Sequence, residues 1–182
     1  MTLPRARREL HSSGRHLVHM HLGIAEVFGN SSSLMYYYTN LYVGDHENLS
    51  TQALILDTGS GITWFPCKDM CPKWGSHINS YYDVSNSNTV EYLNCKRDDC
   101  SWVKGDKCFF HQSYGEGSLY KGFWIKENVY LDSQLHSEDK LKFTVGCVTD
   151  ETNYFKTQKA DGNLLLTVCR HHGTECCREC QI

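Results

Sequence analysis

Residues 50–60 read Ser50-Thr51-Gln52-Ala53-Leu54-Ile55-Leu56-Asp57-Thr58-Gly59-Ser60, and this stretch decides the fold class. Ala53 and Ile55 alternate with Leu54 and Leu56, so both faces of the segment are apolar, as in a strand covered on two sides. The run ends on a carboxylate. An Asp placed directly after four apolar residues is at least partly desolvated, which is costly unless strong donors reach it. Thr58 and Ser60 bring hydroxyls, and Gly59 lets backbone N–H groups approach closely. Asp57 is therefore the candidate reactive group.

Outward from this stretch the pattern stays β. Residues 34–44, LMYYYTNLYVG, are aromatic and β-branched and close on a glycine, which predicts a strand before a polar turn at Asp45–Asn48. ITWFP at 62–66 resumes the apolar run after Gly61. Two further strands are expected at about 107–114 and 118–131, joined by Gly115-Glu116-Gly117, a hairpin with glycines where positive φ is wanted. KLKFTVGC at 140–147 sets Leu141, Phe143 and Val145 on one face, and ADGNLLLTV at 160–168 supplies the last strand. Residues 67–106 are polar and rich in Asn, Ser, Asp and Cys, and read as a loop region stapled by thiols rather than by a core. Helical periodicity is nearly absent, so the class is all-β.

The chain has 182 residues and a formal charge of −3, enough for one domain with its own core and no general reason to expect nucleic acid as a partner. No run of roughly 18 apolar residues occurs, so no membrane span is expected. Ten cysteines favour an oxidising compartment or a metal. Six of them (Cys67, Cys71, Cys95, Cys100, Cys108 and Cys147) are spread through the body, and six allow three bridges in any of 15 connectivities. A zinc site is disfavoured because C-x3-C followed by C-x4-C is not a standard ribbon spacing. Leu17 to Phe28 is interrupted by His19, His21 and Glu26, unlike an export h-region. Asn30-Ser31-Ser32 and Asn48-Leu49-Ser50 are glycosylation sequons, which matter only if the chain is exported.

Apolar-apolar-Asp57-Thr58-Gly59-Ser60, then Trp64, then Tyr114-Gly115-Glu116-Gly117-Ser118 in a hairpin, then Ala160-Asp161-Gly162 resembles the N-terminal lobe of the pepsin-like aspartic proteases. The resemblance spans about residues 34–166. Cys67…Cys71…Gly75-Ser76-His77, Cys95…Cys100…Cys108 and Phe143-Thr144-Val145-Gly146-Cys147 place it nearest the nepenthesin and plasmepsin V branch. It implies one lobe of a bilobal acid-protease fold with a disulfide-rich insert, the six body cysteines forming bridges that hold a loop beside a cleft. It implies a catalytic role for Asp57, support of its loop by Thr58, Gly59 and Ser60, and a flap made of Tyr114, Gly115, Gly117 and Ser118 that closes over a peptide or protein substrate. Trp64 would hydrogen-bond the flap tyrosine, and Ser60 would orient the outer carboxylate oxygen. No metal and no cofactor is implied. The compartment would be secretory, extracellular or endomembrane.

Three departures qualify that expectation. The second catalytic Asp is missing: Asp132-Ser133 is followed by Gln134, and Asp161-Gly162 by Asn163. A second lobe is therefore expected but absent from this chain, and the isolated monomer is expected to be inactive; a homodimer and a non-catalytic peptide- or protein-binding lobe are the alternatives. The family's I-L-G-L is replaced by Asn163-Leu164-Leu165-Leu166, and losing that glycine puts a side chain where the backbone normally runs close under the catalytic loop. The tail from Cys169 matches nothing in the family; Cys169, His171, His172, Cys176, Cys177 and Cys180 carry ligand types for zinc, but a tail of doubtful origin is the simpler reading. The expected organisation is an N-terminal extension at 1–33 (a signal or prosegment remnant), a lobe at 34–168 with its insert at about 67–106, and an unassigned tail at 169–182.

Overall fold

A computed structural model describes residues 25–68, 75–94, 103–104, 106–132 and 141–166. Cys71, Cys95, Cys100, His19, His21 and the tail from Cys169 lie outside the described residues. Among the described residues the fold is strand after strand: β1 (Val27–Asn30), β2 (Tyr36–Val43), β3 (Ser50–Asp57), β4 (Trp64–Pro66), β5 (Glu91–Tyr92), β6 (Val103–Lys104), β7 (Lys107–Ser113), β8 (Leu119–Tyr130), β9 (Leu141–Glu151) and β10 (Gly162–Leu165). One turn of 3-10 helix at Val84–Asn86 and one short helix, α1 (Tyr154–Thr157), interrupt them. The domain is an all-β lobe, as the strand patterns predict.

The strands join in the order β1-β2-β3-β10-β4-β9-β8-β7-β6, and β2 also pairs with β8 through Tyr42↔Tyr130 and Val43↔Val129. That last pairing closes β2, β3, β10, β4, β9 and β8 into a ring, which removes most open edges. Its filling is Leu41, Val43, Leu54, Phe65, Phe123, Ile125, Val129 and Val145, all buried. A smaller aromatic cluster of Trp64, Tyr120 and Phe155 lies under the β7–β8 hairpin, with Val148 and half-buried Tyr114 against it.

Two parallel pairings fix the region around Asp57. β10 runs parallel to β3 with Leu165 opposite Asp57, and β4 runs parallel to β9 with Phe65 opposite Cys147. A chain that must return parallel cannot do so by a tight turn, so β3, β10 and β4 are brought together from positions far apart in sequence. The double cover read from STQALILD holds only in its middle. Gln52, Ala53 and Leu54 are buried, whereas Ile55 and Leu56 are half-exposed where the strand emerges towards the Asp57 loop.

Two features extend the sequence reading. The sheet begins inside the expected N-terminal extension, because β1 pairs antiparallel with β2 from Val27↔Thr39 to Asn30↔Tyr36. The insert is also not held by thiols alone. Tyr82 and Val84 are buried in the main core, and Tyr82 N–H donates to the Pro66 carbonyl at 3.0 Å. Buried Glu127 on β8 draws the same segment in, accepting from Tyr82 Oη at 2.6 Å, Ser87 Oγ at 2.7 Å and Thr89 Oγ1 at 2.5 Å. A polar composition hid this, because the anchoring acid lies 40 residues from Ser87. Cys67 and Cys147 form a disulfide across 80 residues inside that core, and Cys108 is disulfide-bonded as well.

Candidate active site

Asp57 is the last residue of β3, half-buried, with the backbone on either side gripped by β10. Leu166 N–H donates to the Asp57 carbonyl at 2.8 Å, and Leu165 N–H donates to Thr63 Oγ1 at 3.1 Å at the far end of the loop. Leu165 lies beside this loop, opposite Asp57 in the parallel register. The lost glycine therefore does not stop the carboxylate from being held: Gly59 N–H donates to Oδ1 at 2.7 Å, and the buried Ser60 hydroxyl donates to Oδ2. Thr58 and Gly59 are exposed at the tip. A β-carbon added at Gly59 would stand 3.4 Å from Asp57 Oδ1, an ordinary contact, so space alone does not demand glycine there.

The loop rests on the last strand through Ala160, Asp161 and Gly162. Asp161 is fully buried and accepts from Ala53 N–H at 2.5 Å, Asn79 N–H at 2.9 Å and Asn79 Nδ2 at 2.8 Å. Gly162 is required by close approach, since any β-carbon there would run into the Trp64 carbonyl. Beside it, His77 hydrogen-bonds the Ala160 carbonyl through Nδ1 at 3.1 Å and Glu151 Oε1 through Nε2 at 2.8 Å, with both side chains sealed from solvent. Burial on its own would push the His77 imidazole down. The Glu151 bond, the charges of Glu151 and Asp161 and the Ala160 carbonyl outweigh it, so the net shift is upward.

The β7–β8 hairpin carries the candidate flap. Its turn closes by Tyr114 N–H to the Ser118 carbonyl at 2.9 Å and Gly117 N–H to the Tyr114 carbonyl at 3.0 Å. Only Gly117 of the two glycines uses positive φ, at +91°. Ser118 is buried, and its Oγ accepts from Tyr154 N–H at 3.3 Å.

The expected hydrogen bond between Trp64 and Tyr114 is not made. Trp64 Nε1 is buried without a partner among the described residues. The ring of Tyr120 stacks on the indole at 4.6 Å between centroids, and the Tyr114 ring lies 6.0 Å from that of Tyr120. Burial above all, with Tyr114 and the Asp57 carboxylate nearby, pushes the Tyr120 phenol upward.

Sequence reasoning missed four residues here. Tyr120 and Phe155 form the aromatic bed of the flap, Tyr114 lying 5.4 Å from Phe155 and 6.0 Å from Tyr120. Asn153 pins the turn, its Nδ2 donating to the Gly117 carbonyl at 2.7 Å. Asn163 reaches the Asp57 carboxylate, its Nδ2 lying 2.9 Å from Oδ2. The one visible signal was Asn163 itself, a carboxamide inside an apolar strand.

Comparison with known proteins agrees with this arrangement. Residues 37–167 match the family model described as xylanase inhibitor N-terminal, a span that runs from β2 through β10. The chain is 33 % identical over 166 residues to aspartic protease 5 of Toxoplasma gondii, covering 81 % of this chain and 17 % of that protein. It is 31 % identical over 153 residues to plasmepsin V of Plasmodium falciparum, covering 81 % and 25 %, and 25 % identical over 130 residues to nepenthesin-2 of Nepenthes gracilis, covering 64 % and 28 %. It thus spans less than a third of the length of each. On the strength of the matched span and of the strand order that carries it, the chain belongs to the pepsin-like aspartic protease family.

Proposed function

We propose that residues 34–168 are the catalytic-loop and flap lobe of an aspartic-type endopeptidase. The observation that carries the reading is the Asp57 carboxylate at the mouth of β3, with Gly59 N–H on one oxygen and the Ser60 hydroxyl on the other. Such a carboxylate is oriented, half-exposed and free to meet a second one. Two carboxyl groups that close share one proton, because both cannot ionise together, and they titrate as a unit. The ionised member takes a proton from a bound water that attacks the peptide carbonyl, while the protonated member donates to it. Asp57 supplies one of the pair, and a second lobe supplies the other. Thr58, exposed at the loop tip, faces that lobe in this reading. Tyr114, Gly115, Gly117 and Ser118 form the lid that covers the peptide and excludes water. The Cys67–Cys147 bridge and the bonded Cys108 support an oxidising, secretory or extracellular setting.

A second reading draws on the name of the matched family, an inhibitor domain: a pepsin lobe that binds a peptide or protein without cutting it. Cleavage of a peptide library at acid pH by a two-lobed protein carrying this lobe separates the two. Activity lost in Asp57→Asn and blocked by pepstatin supports the endopeptidase. Tight peptide binding with no cleavage at any pH, unchanged by Asp57→Asn, establishes the binding module instead.

A further inference from the structure

We infer that Asn163 is a positioning residue for Asp57, an inference that rests on reading Asp57 as half of the catalytic pair. Asn163 sits where three strands meet, opposite Ile55 of β3 in the parallel register and opposite Trp64 of β4 in the antiparallel one. Its side chain is buried and turned towards the loop rather than the core. Nδ2 donates to Asp57 Oδ2 at 2.9 Å and to Ser60 Oγ at 3.1 Å, and Ser60 Oγ in turn donates to Asp57 Oδ2. The three side chains form a closed triangle.

The chemistry of the triangle fixes each member. A carboxamide nitrogen has two protons, one for each of these acceptors. A serine hydroxyl has one proton and can accept as well as donate. With the Asn163 N–H on the Ser60 oxygen, that oxygen is an acceptor on one side, and its own proton goes to Asp57. The carboxamide cannot be turned the other way, because its oxygen would then face a carboxylate oxygen and leave Ser60 Oγ without this donor. Asp57 Oδ2 consequently has two side-chain donors and Oδ1 has the Gly59 N–H, so rotation of the carboxylate breaks bonds at both oxygens.

Packing does not explain the residue. Asn163 Oδ1 is buried without a partner among the described residues, a penalty that an apolar side chain would avoid. The flanking residues, Gly162 and Leu164-Leu165-Leu166, show that the strand otherwise has no use for polarity. What the amide gains is the contact with Asp57 and Ser60. Stability and positioning thus pull in opposite directions at this site, and that makes them separable.

Asn163→Leu, close in volume and without a donor, tests the separation. In a two-lobed protein carrying this lobe, kcat should fall about tenfold with KM unchanged, since the residue orients the reacting carboxylate and does not reach substrate. The melting temperature should stay level or rise. Unchanged kcat, or a fall in kcat together with a fall in melting temperature, overturns the inference. A second measurement needs no activity and so stands if the endopeptidase reading fails. In the chain alone, the Asn163 side-chain amide protons should be shifted and slow to exchange by NMR, and Asp57→Ala should move the resonance of the proton that faced Asp57 and speed its exchange, leaving the one on Ser60 Oγ. Amide resonances indifferent to Asp57→Ala overturn the clamp itself.

Discussion

The ring of Tyr120 stacks on that of Trp64 at 4.6 Å between centroids and an interplanar angle of 30°. The flap tyrosine, Tyr114, meets this stack through ring contacts, 6.0 Å from Tyr120 and 5.4 Å from Phe155. Tyr120 is almost wholly buried, on β8 directly after the hairpin, so one residue ties flap, aromatic cluster and sheet together.

Tyr120→Phe separates the ring from its hydroxyl. The stacking on Trp64 and the edge contact with Phe155 at 5.2 Å remain, and only the polar influence of the hydroxyl on neighbouring Tyr114 is lost. Urea unfolding should show a loss no larger than about 0.5–1.5 kcal/mol, the net value of one hydrogen bond. The Tyr114 ring should reorient faster by NMR relaxation. A Tyr114 ring as slow as in the wild type would show that Phe155 packing, not the phenol, holds the flap.

Asn153 combines a backbone at φ +50°, ψ −119° with a side-chain bond to the Gly117 carbonyl. Those two properties have opposite signs for stability, since a non-glycine residue there is strained. Asn153→Gly relieves the backbone and should leave stability nearly unchanged, while Asn153→Ala keeps the strain and should cost about 1–2 kcal/mol. Both should speed amide exchange at Gly117. Equal stability losses in the two variants would remove the role assigned to the backbone.

His77 makes the fold sensitive to pH. Its ionisation is shifted upward from 6.5 in the folded chain, net of burial, by Glu151, Asp161 and the Ala160 carbonyl. A raised value means the charged form is favoured by folding. The stabilisation is therefore complete below pH about 6.5, where the unfolded histidine is also protonated, and is lost as pH rises through the folded value. Melting temperature against pH should fall across that window in the wild type and lose this component in His77→Gln. Curves of the same slope in both would assign the pH dependence elsewhere.

The Cys67–Cys147 bridge joins β4's end to β9 in the centre of the main core, closing a loop of 80 residues. Replacing both cysteines by alanine should destabilise the chain by about 3 kcal/mol, chiefly by freeing the unfolded state. Reduction of the wild type under urea should move the midpoint in the same direction. A double variant with the wild-type midpoint would mean the neighbouring Phe65 and Val145 packing suffices without the bridge.

Asp57 and its strand were legible because their signals are local. Four apolar residues, a carboxylate and a glycine within eight positions describe both the strand and where it must stop. The hairpin at Gly115-Glu116-Gly117 was legible for the same reason, as a turn between two alternating runs. Tertiary structure alone decided what holds these pieces. Asn163 meets Asp57 across 106 residues, Glu127 draws in Ser87 across 40, and Cys67 finds Cys147 across 80. None of these leaves a period in the sequence. Each depends on strand register, and for β10 on a parallel return beside β3, where a slip of one residue would turn Asn163 to the opposite face and take its amide away from Asp57. The sequence determined that a carboxylate would sit at the mouth of an apolar strand. Only the closing of the sheet determined which donors hold it there.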